Sequence, residues 1–247
     1  DDSTAFQSQD QNSAQQQGFD AVRAKIDDPG RSVVLLLVIG AALALLTGSA
    51  FGLIASLKLH LPDFLAESAA MTFGRVRTMH LNLVSYGWLS MAGIAAAMWM
   101  LPRIFRTPLR RPKLAFFGAC VWVTATVLAV VSIGLGYSEG AEWLEMPWPV
   151  GVLFGIGGAC MAFTLVDTAR HRQVHHIYVT AWYLIGGLCW FPILFFIAKA
   201  PGLHAGVQHA TVNWWFAHNV LGLWLTPLGV GAAYYLIPKI IGKPVYY

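Results

Sequence analysis

The chain has 247 residues, of which 57% are hydrophobic and only 11% are charged. A soluble domain carries roughly 25% charged residues, so this composition excludes an ordinary soluble enzyme or binding module and indicates an integral membrane protein. The net charge is +4 at pH 7. We expect the chain to lie in a lipid bilayer and not to bind nucleic acid.

The first part of the chain, residues 1–31, is polar and rich in glutamine. This composition predicts a disordered tail that ends in a short amphipathic or turn segment at Asp28-Pro29-Gly30. The remainder, residues 32–247, is predicted to be one transmembrane domain.

Six apolar runs follow the tail, and each is long enough to cross about 30 Å of hydrocarbon at about 1.5 Å per residue. They cover residues 32–57, 77–101, 114–135, 150–167, 176–198 and 211–237. The pattern predicts an all-α fold, a polytopic membrane bundle of six transmembrane helices.

The basic residues predict how this bundle is oriented. If the N-terminus is cytoplasmic, the outer side holds only four of the 16 Lys and Arg residues, namely Lys58, Arg75, Arg77 and Lys199. Because short cytoplasmic segments carry the excess of Lys and Arg, both termini are predicted to be cytoplasmic. The acidic segment between the third and fourth runs then lies outside.

A histidine, His218, lies inside the last apolar run, where the bilayer offers no water to its ring nitrogens. Trp214 and Trp215 precede it by four and three residues and share its helix face. We therefore expect a crowded, dry position for this imidazole. The residues leave two interpretations open, a hydrogen bond to a neighbouring helix or a transition-metal ligand.

A second histidine, His80, lies near the outer end of the second run, and Arg77 precedes it by one helical turn. An imidazole below a guanidinium suits a haem whose iron binds the ring and whose propionates pair with the arginine. The alternative is a structural histidine beside two arginines, Arg75 and Arg77, that extend to the membrane interface. The other histidines are not interpreted as a site: His171, His175 and His176 are expected to form a solvated cluster in a basic inner loop, and His60, His204 and His209 lie in outer loops.

Four stretches resemble the catalytic subunit I of the haem–copper oxidase superfamily, most of all its C family, the cbb3-type cytochrome c oxidases. Residues 73–82, FGRVRTMHLN, resemble the motif of the second helix, and residues 214–222, WWFAHNVLG, resemble that of the sixth. Residues 140–149 resemble the acidic loop before the fourth helix, and residues 176–182 resemble the start of the fifth. The resemblance runs from about residue 70 to the end.

The resemblance implies that His80 is one axial ligand of a low-spin haem b, with Arg75 and Arg77 at the haem propionates. It also implies a Ca²⁺ site on Glu142, for which Glu145 is the second candidate, because carboxylate oxygens suit this cation. A solvated acidic loop that merely obeys the charge rule is the alternative for both glutamates.

The same resemblance implies that His218 is a ligand of the copper ion CuB and the catalytic residue of this chain, with Trp214 and Trp215 beside the cofactor. Mitochondrial-type oxidases resemble one another in a tyrosine four residues after this histidine, and nitric oxide reductases have a glutamate there. Here the position is Gly222, which fits the cbb3 type.

The implied activity is the reduction of O₂ to water with electrons from soluble cytochrome c, coupled to proton uptake in a bacterial inner membrane. The high-spin haem b, the other copper ligands and the redox tyrosine would come from the remainder of subunit I, beyond residue 247. We therefore expect the N-terminal half of the subunit, with cytochrome c-type haem subunits as partners. Nitric oxide reduction, a b-type cytochrome that relays electrons and a transporter stay open as alternatives.

Overall fold

The computed structural model describes residues 18–243. Within that range the chain is helical and contains no β-strand. Six helices are long and apolar enough to cross a membrane, which confirms the predicted all-α bundle. They are α1 (Gly18–His60), α2 (Phe73–Phe105), α3 (Pro112–Leu135), α4 (Trp148–Arg170), α5 (Val179–Ala198) and α6 (Gly206–Ile241).

The predicted turn at residues 28–30 is present at the start of α1, but residues 18–27 are helical where part of a disordered tail was expected. Residues 18–27 are helical and continue through a 3₁₀ turn, Asp28–Gly30, into the span. The Asp27 carboxylate accepts a hydrogen bond of 2.8 Å from Nε of Arg103, near the end of α2. This ion pair and the buried side chain of Ile26 hold the segment against the bundle. Residues 1–17 lie outside the described residues.

Helix α2 is the centre of the bundle and contacts each of the other five helices. In its most apolar stretch 61% of the residues are buried, against 28% in α1 and in α6. Helices α3, α4 and α5 pack against their sequence neighbours, as short connections favour. A residue on α2 is therefore positioned by several helices at once, whereas α1 and α6 each keep one open face.

The core is an aromatic cluster between α2, α3, α4, α5 and α6. The ring centroid of Trp122 lies 4.6 Å from that of Phe191 and 6.0 Å from that of Trp224. Both indole N–H groups are satisfied on α2, because Trp122 donates to the carbonyl of Tyr86 and Trp224 donates to the hydroxyl of Ser90, each at 2.9 Å. The indole N–H groups thus link α3 and α6 to α2 within an apolar interior.

Two π-helical segments interrupt the spans, and the sequence did not predict them. One, Leu83–Leu89, lies in α2, and the other, Val220–Leu225, lies in α6. They begin three residues after His80 and two residues after His218 respectively. Wide turns of this kind occur often at functional sites, and here they accompany both histidines singled out by the sequence.

Candidate haem and metal centre

The acidic loop, residues 136–147, forms hydrogen bonds with the beginning of α2 and with the beginning of α6. Nη2 of Arg77, on α2, lies 2.9 Å from Oε1 of Glu142. The backbone N–H of Glu142 donates to Oδ1 of Asn213, on α6, at 3.2 Å, and Nδ2 of Asn213 donates to the carbonyl of Glu142 at 2.7 Å. The two helix beginnings therefore lie at the same end of the bundle.

This arrangement places the two histidines at similar distances from the acidic loop. His80 follows Arg77 by three residues, and His218 follows Asn213 by five. At 1.5 Å of rise per residue, they lie about 4.5 Å and about 7.5 Å deeper than the residues that bind the loop. These contacts place the two histidines at similar depths in the bundle.

The imidazole of His80 is half-buried and is oriented by α1. Its Nδ1 lies 2.8 Å from the carbonyl oxygen of Gly48. Because a carbonyl only accepts hydrogen bonds, we assign the proton to Nδ1, and in the neutral ring Nε2 then keeps its lone pair. A carbonyl bonded to one ring nitrogen is the usual support of a histidine whose other nitrogen binds a metal.

Two glycines of α1 leave the space that this imidazole fills. A Cβ atom on Gly52 would lie 2.8 Å from both Nδ1 and Cε1 of His80, and one on Gly48 would lie 3.1 Å from Cβ of Leu83. The two glycines are four residues apart, which is the spacing that lets membrane helices approach closely. The spacing was visible in the sequence and indicates that α1 packs closely on another helix, but only the structure shows that His80 lies there.

The two arginines before His80 already have protein partners. Nη1 of Arg75 donates to the carbonyl of Gly134, on α3, at 3.1 Å, and Arg77 pairs with Glu142. A guanidinium has five N–H donors, so both retain donors for a further anion. Their predicted contact with haem propionates stays a prediction.

Within residues 18–243, His218 does not lie in the crowded position that the sequence predicted. Its side chain is exposed on the open face of α6, beside Trp214 and Trp215, which are 65% and 38% exposed. Helix α6 buries Phe216 and Val220 against the bundle instead, and this turns the histidine outward. The two tryptophans share its face as predicted, but in residues 18–243 they form a surface.

Glu145 is buried, which contradicts the solvated-loop interpretation for this residue. It is 6% exposed, and its Oε2 accepts a hydrogen bond of 3.1 Å from Nδ2 of Asn82. Oε1 of Glu145 and Oδ1 of Asn82 are buried without a hydrogen-bond partner among the described residues. Burial raises the pKa of this carboxyl above its ordinary value. Such oxygen atoms suit a hard cation or a proton on the carboxyl.

The ion pair between Lys199 and Glu139 was not predicted from the sequence. Lys199 follows the last residue of α5 and is only 5% exposed. Its ammonium donates to Oε2 of Glu139 and to the carbonyls of Leu144 and Met146, each at 2.6 Å. The one available signal was a lysine directly after an apolar run, facing an acidic loop.

The remaining histidines do not assemble into a site. His171, His175 and His176 are exposed at the opposite end of the bundle, as predicted. Across residues 18–243 no three His, Cys, Asp or Glu side chains gather into a metal-binding group. The candidate ligands His80, His218 and Glu145 therefore do not form one shared metal site within the described residues.

Comparisons with known proteins show the family of the chain. The family described as cytochrome c and quinol oxidase polypeptide I matches residues 32–247. The cbb3-type cytochrome c oxidase subunit CcoN1 of Stutzerimonas stutzeri is 31% identical over 210 residues, which cover 81% of this chain and 44% of that protein. Cytochrome c oxidase subunit 1 of Rhodobacter capsulatus is 30% identical over 188 residues, which cover 71% of this chain and 35% of that protein.

The chain thus spans less than half the length of these curated relatives. The match includes all of α2 to α6, and so it includes His80, the acidic loop and His218. The motifs quoted from the sequence lie inside the matched region, and the predicted resemblance is confirmed at the level of the family. This integral membrane chain belongs to the cytochrome c and quinol oxidase polypeptide I family.

Proposed function

We propose that this chain is part of the catalytic subunit of a cbb3-type cytochrome c oxidase, which reduces O₂ to water with electrons from cytochrome c and takes up protons. The observation that carries the proposal is the imidazole of His80. Its Nδ1 is bound to the carbonyl of Gly48, its Nε2 is left for a metal, and Arg77 lies one turn before it.

The residues around His80 fit a low-spin haem b. The hydrogen bond that Nδ1–H donates to the carbonyl of Gly48 fixes the tautomer and orientation of the ring and raises the basicity of Nε2 as a ligand. The guanidinium groups of Arg75 and Arg77, which precede His80 on α2, would pair with the haem propionates. His80 would orient the haem, and the arginines would neutralise its carboxylates.

The exposure of His218 fits a ligand that is shared with further protein. CuB and the high-spin haem b, when bound, supply the O₂ chemistry of this family. His218 would hold CuB, and Trp214 and Trp215 would exclude water from it once the remainder of subunit I covers the open face of α6. A lone exposed histidine at membrane depth needs such a cover, because the hydrocarbon offers its ring no hydrogen bond.

The acidic loop fits a supporting role at the haem end. Glu142 holds Arg77, and Glu145 offers an unpartnered buried oxygen, so the proposal includes a Ca²⁺ ion at this loop. The partners proposed are the cytochrome c-type haem subunits, soluble cytochrome c and the remainder of subunit I. The location proposed is a bacterial inner membrane.

The experiment that tests the proposal is the purification of the complete oxidase that contains this chain. We expect two haems b and one copper in the subunit, and O₂ consumption driven by reduced cytochrome c. Consumption of nitric oxide without O₂ consumption would identify the related reductase instead. Haem without copper and without either activity would identify an electron relay, and a protein with neither haem nor copper would leave the transporter interpretation.

A further inference from the structure

We propose that the buried ammonium of Lys199 and the partly exposed carboxylate of Glu139 form an ion pair that holds the acidic loop closed, and that this pair positions Glu142 and Arg77 beside His80. Lys199 is thus a positioning residue for the haem end of the bundle. The part of the inference that concerns haem rests on the proposed function, whereas the part that concerns the loop does not.

All three N–H donors of the Lys199 ammonium are used inside the loop. They point to Oε2 of Glu139 and to the carbonyls of Leu144 and Met146, each at 2.6 Å. An ammonium offers three donors and no acceptor, so its hydrogen-bonding capacity is complete without water. The loop backbone is therefore arranged around a cation that the chain itself supplies.

A lysine at the end of a membrane helix usually extends its ammonium into water. Lys199 turns inward instead, and its stem packs on the beginning of α4, where a Cβ atom on Gly151 would lie 2.8 Å from Cγ of Lys199. Burial lowers the pKa of the ammonium, and the hydrogen bond to Glu139 raises it. A buried cation is tolerated only with such compensation, so the lysine and the loop geometry depend on each other.

Glu139 closes the loop into a ring. One carboxylate oxygen, Oε2, binds Lys199, and the other, Oε1, accepts the backbone N–H of Trp148 at 2.8 Å. The backbone N–H of Glu139 donates to the carbonyl of Glu145 at 2.7 Å. Through its backbone and its side chain, Glu139 thus connects the start of the loop to its end and to the first residue of α4.

The closed loop then reaches α2 through three side-chain contacts. Arg77 binds Glu142, Asn82 binds Glu145, and the hydroxyl of Tyr86 donates to the carbonyl of Trp143. Arg77 and Asn82 flank His80 by three and two residues. If the ion pair that holds the loop is lost, we expect Glu142 to shift. Its partner Arg77 lies one helical turn before His80, the proposed haem ligand.

The test uses the complete purified oxidase and measures hydrogen–deuterium exchange in the peptide covering residues 137–148. We expect Lys199→Met to speed the exchange of the Glu139, Leu144 and Trp148 amides by at least about tenfold, because their hydrogen bonds depend on the closed loop. The reduction potential of the low-spin haem should shift in the same variant. Lys199→Arg, which keeps the charge and several donors, should restore most of both properties.

Lys58→Met is the matched control. Lys58 is also buried, at 6% exposure, and it donates to the carbonyl of Phe64 in the other loop at the same end. Its loss should speed exchange in residues 61–66 and leave residues 137–148 unchanged. The comparison separates the loss of any buried lysine from the loss of this ion pair.

Exchange in Lys199→Met within about twofold of the wild-type rate would overturn the inference. If that variant fails to accumulate, Glu139→Gln decides, since it removes the charge and keeps the shape; an unchanged loop would again overturn the inference. Faster loop exchange with an unaltered haem potential would overturn the link to His80. Absence of haem from the wild-type protein would instead refute the proposed function, while loop exchange would still test the ion pair.

Discussion

Nη2 of Arg77 lies 2.9 Å from Oε1 of Glu142, although 65 residues separate them along the chain. The two side chains are 46% and 37% exposed, so the pair contributes little to stability, roughly 0–1 kcal/mol. Its importance is geometric, because it fixes a guanidinium one turn above His80. Through this contact the acidic loop binds α2 one turn from the proposed haem ligand.

The first prediction concerns His80 itself. In the complete oxidase, His80→Ala should abolish the six-coordinate low-spin haem spectrum, since the iron loses the imidazole, while membrane insertion continues because the apolar residues of the span are unchanged. Optical spectra of membranes and blotting of the subunit measure the two outcomes. His60→Ala, at the exposed end of α1, is the control and should change neither; a normal low-spin spectrum in His80→Ala would refute the assignment.

The second prediction concerns the space beside the imidazole. Gly52→Ala should displace the His80 ring and disturb or empty the low-spin haem site, because the new Cβ would lie 2.8 Å from two ring atoms. The overpacking should cost about 1–3 kcal/mol. The haem spectrum and thermal stability of the variant measure the effect. Gly229→Ala, where no atom lies within 4 Å of the added Cβ, should leave both unchanged.

The third prediction separates metal binding from packing at His218. His218→Asn should remove copper and abolish O₂ consumption while both haems stay bound, because neither iron depends on this residue. Since the side chain is exposed within residues 18–243, the substitution should change the stability of this helix bundle by no more than about 0.5 kcal/mol. The measurement is copper per haem, with His209→Asn as control. Copper retained with normal turnover would point to a role other than metal binding.

The fourth prediction concerns calcium at the acidic loop. Glu142→Gln should lower bound Ca²⁺ and perturb the low-spin haem, because it removes a carboxylate charge and weakens the partner of Arg77. Elemental analysis and the haem spectrum measure this. Glu67→Gln, in the exposed loop at the same end, is the suitable control. Glu139→Gln is not, because Glu139 binds Lys199 and Trp148. Equal calcium in Glu142→Gln, Glu67→Gln and wild type would exclude the site.

The fifth prediction concerns pH. Burial is the main cause that raises the pKa of Glu145 above its ordinary value of 4.5. A carboxyl whose pKa is higher in the folded state stabilises the fold at low pH, and this contribution is lost as pH rises through the raised pKa. Thermal unfolding of the calcium-free protein should therefore show less stability at about pH 8 than at about pH 5. Glu145→Gln should flatten this dependence, and an equally steep profile in the variant would count against it.

The sequence alone determined the class of the protein and its six spans, and it singled out His80 and His218 as the two candidate ligands. Long apolar runs are a local property, since any segment of about 20 apolar residues must satisfy its backbone as a helix in lipid. The motifs around His80 and His218 are equally local, and the family match covers both. The orientation of the termini and the cofactor roles stay predictions.

Only the tertiary structure decided which side chains are buried and what they bind. His218 faces outward because α6 packs through Phe216 and Val220, and Glu145 is buried because the loop folds against Asn82. Lys199 binds a loop that precedes it by more than 50 residues. Hydropathy cannot report such contacts, because they depend on how helices distant in the chain pack and on where a loop finds donors for its oxygens.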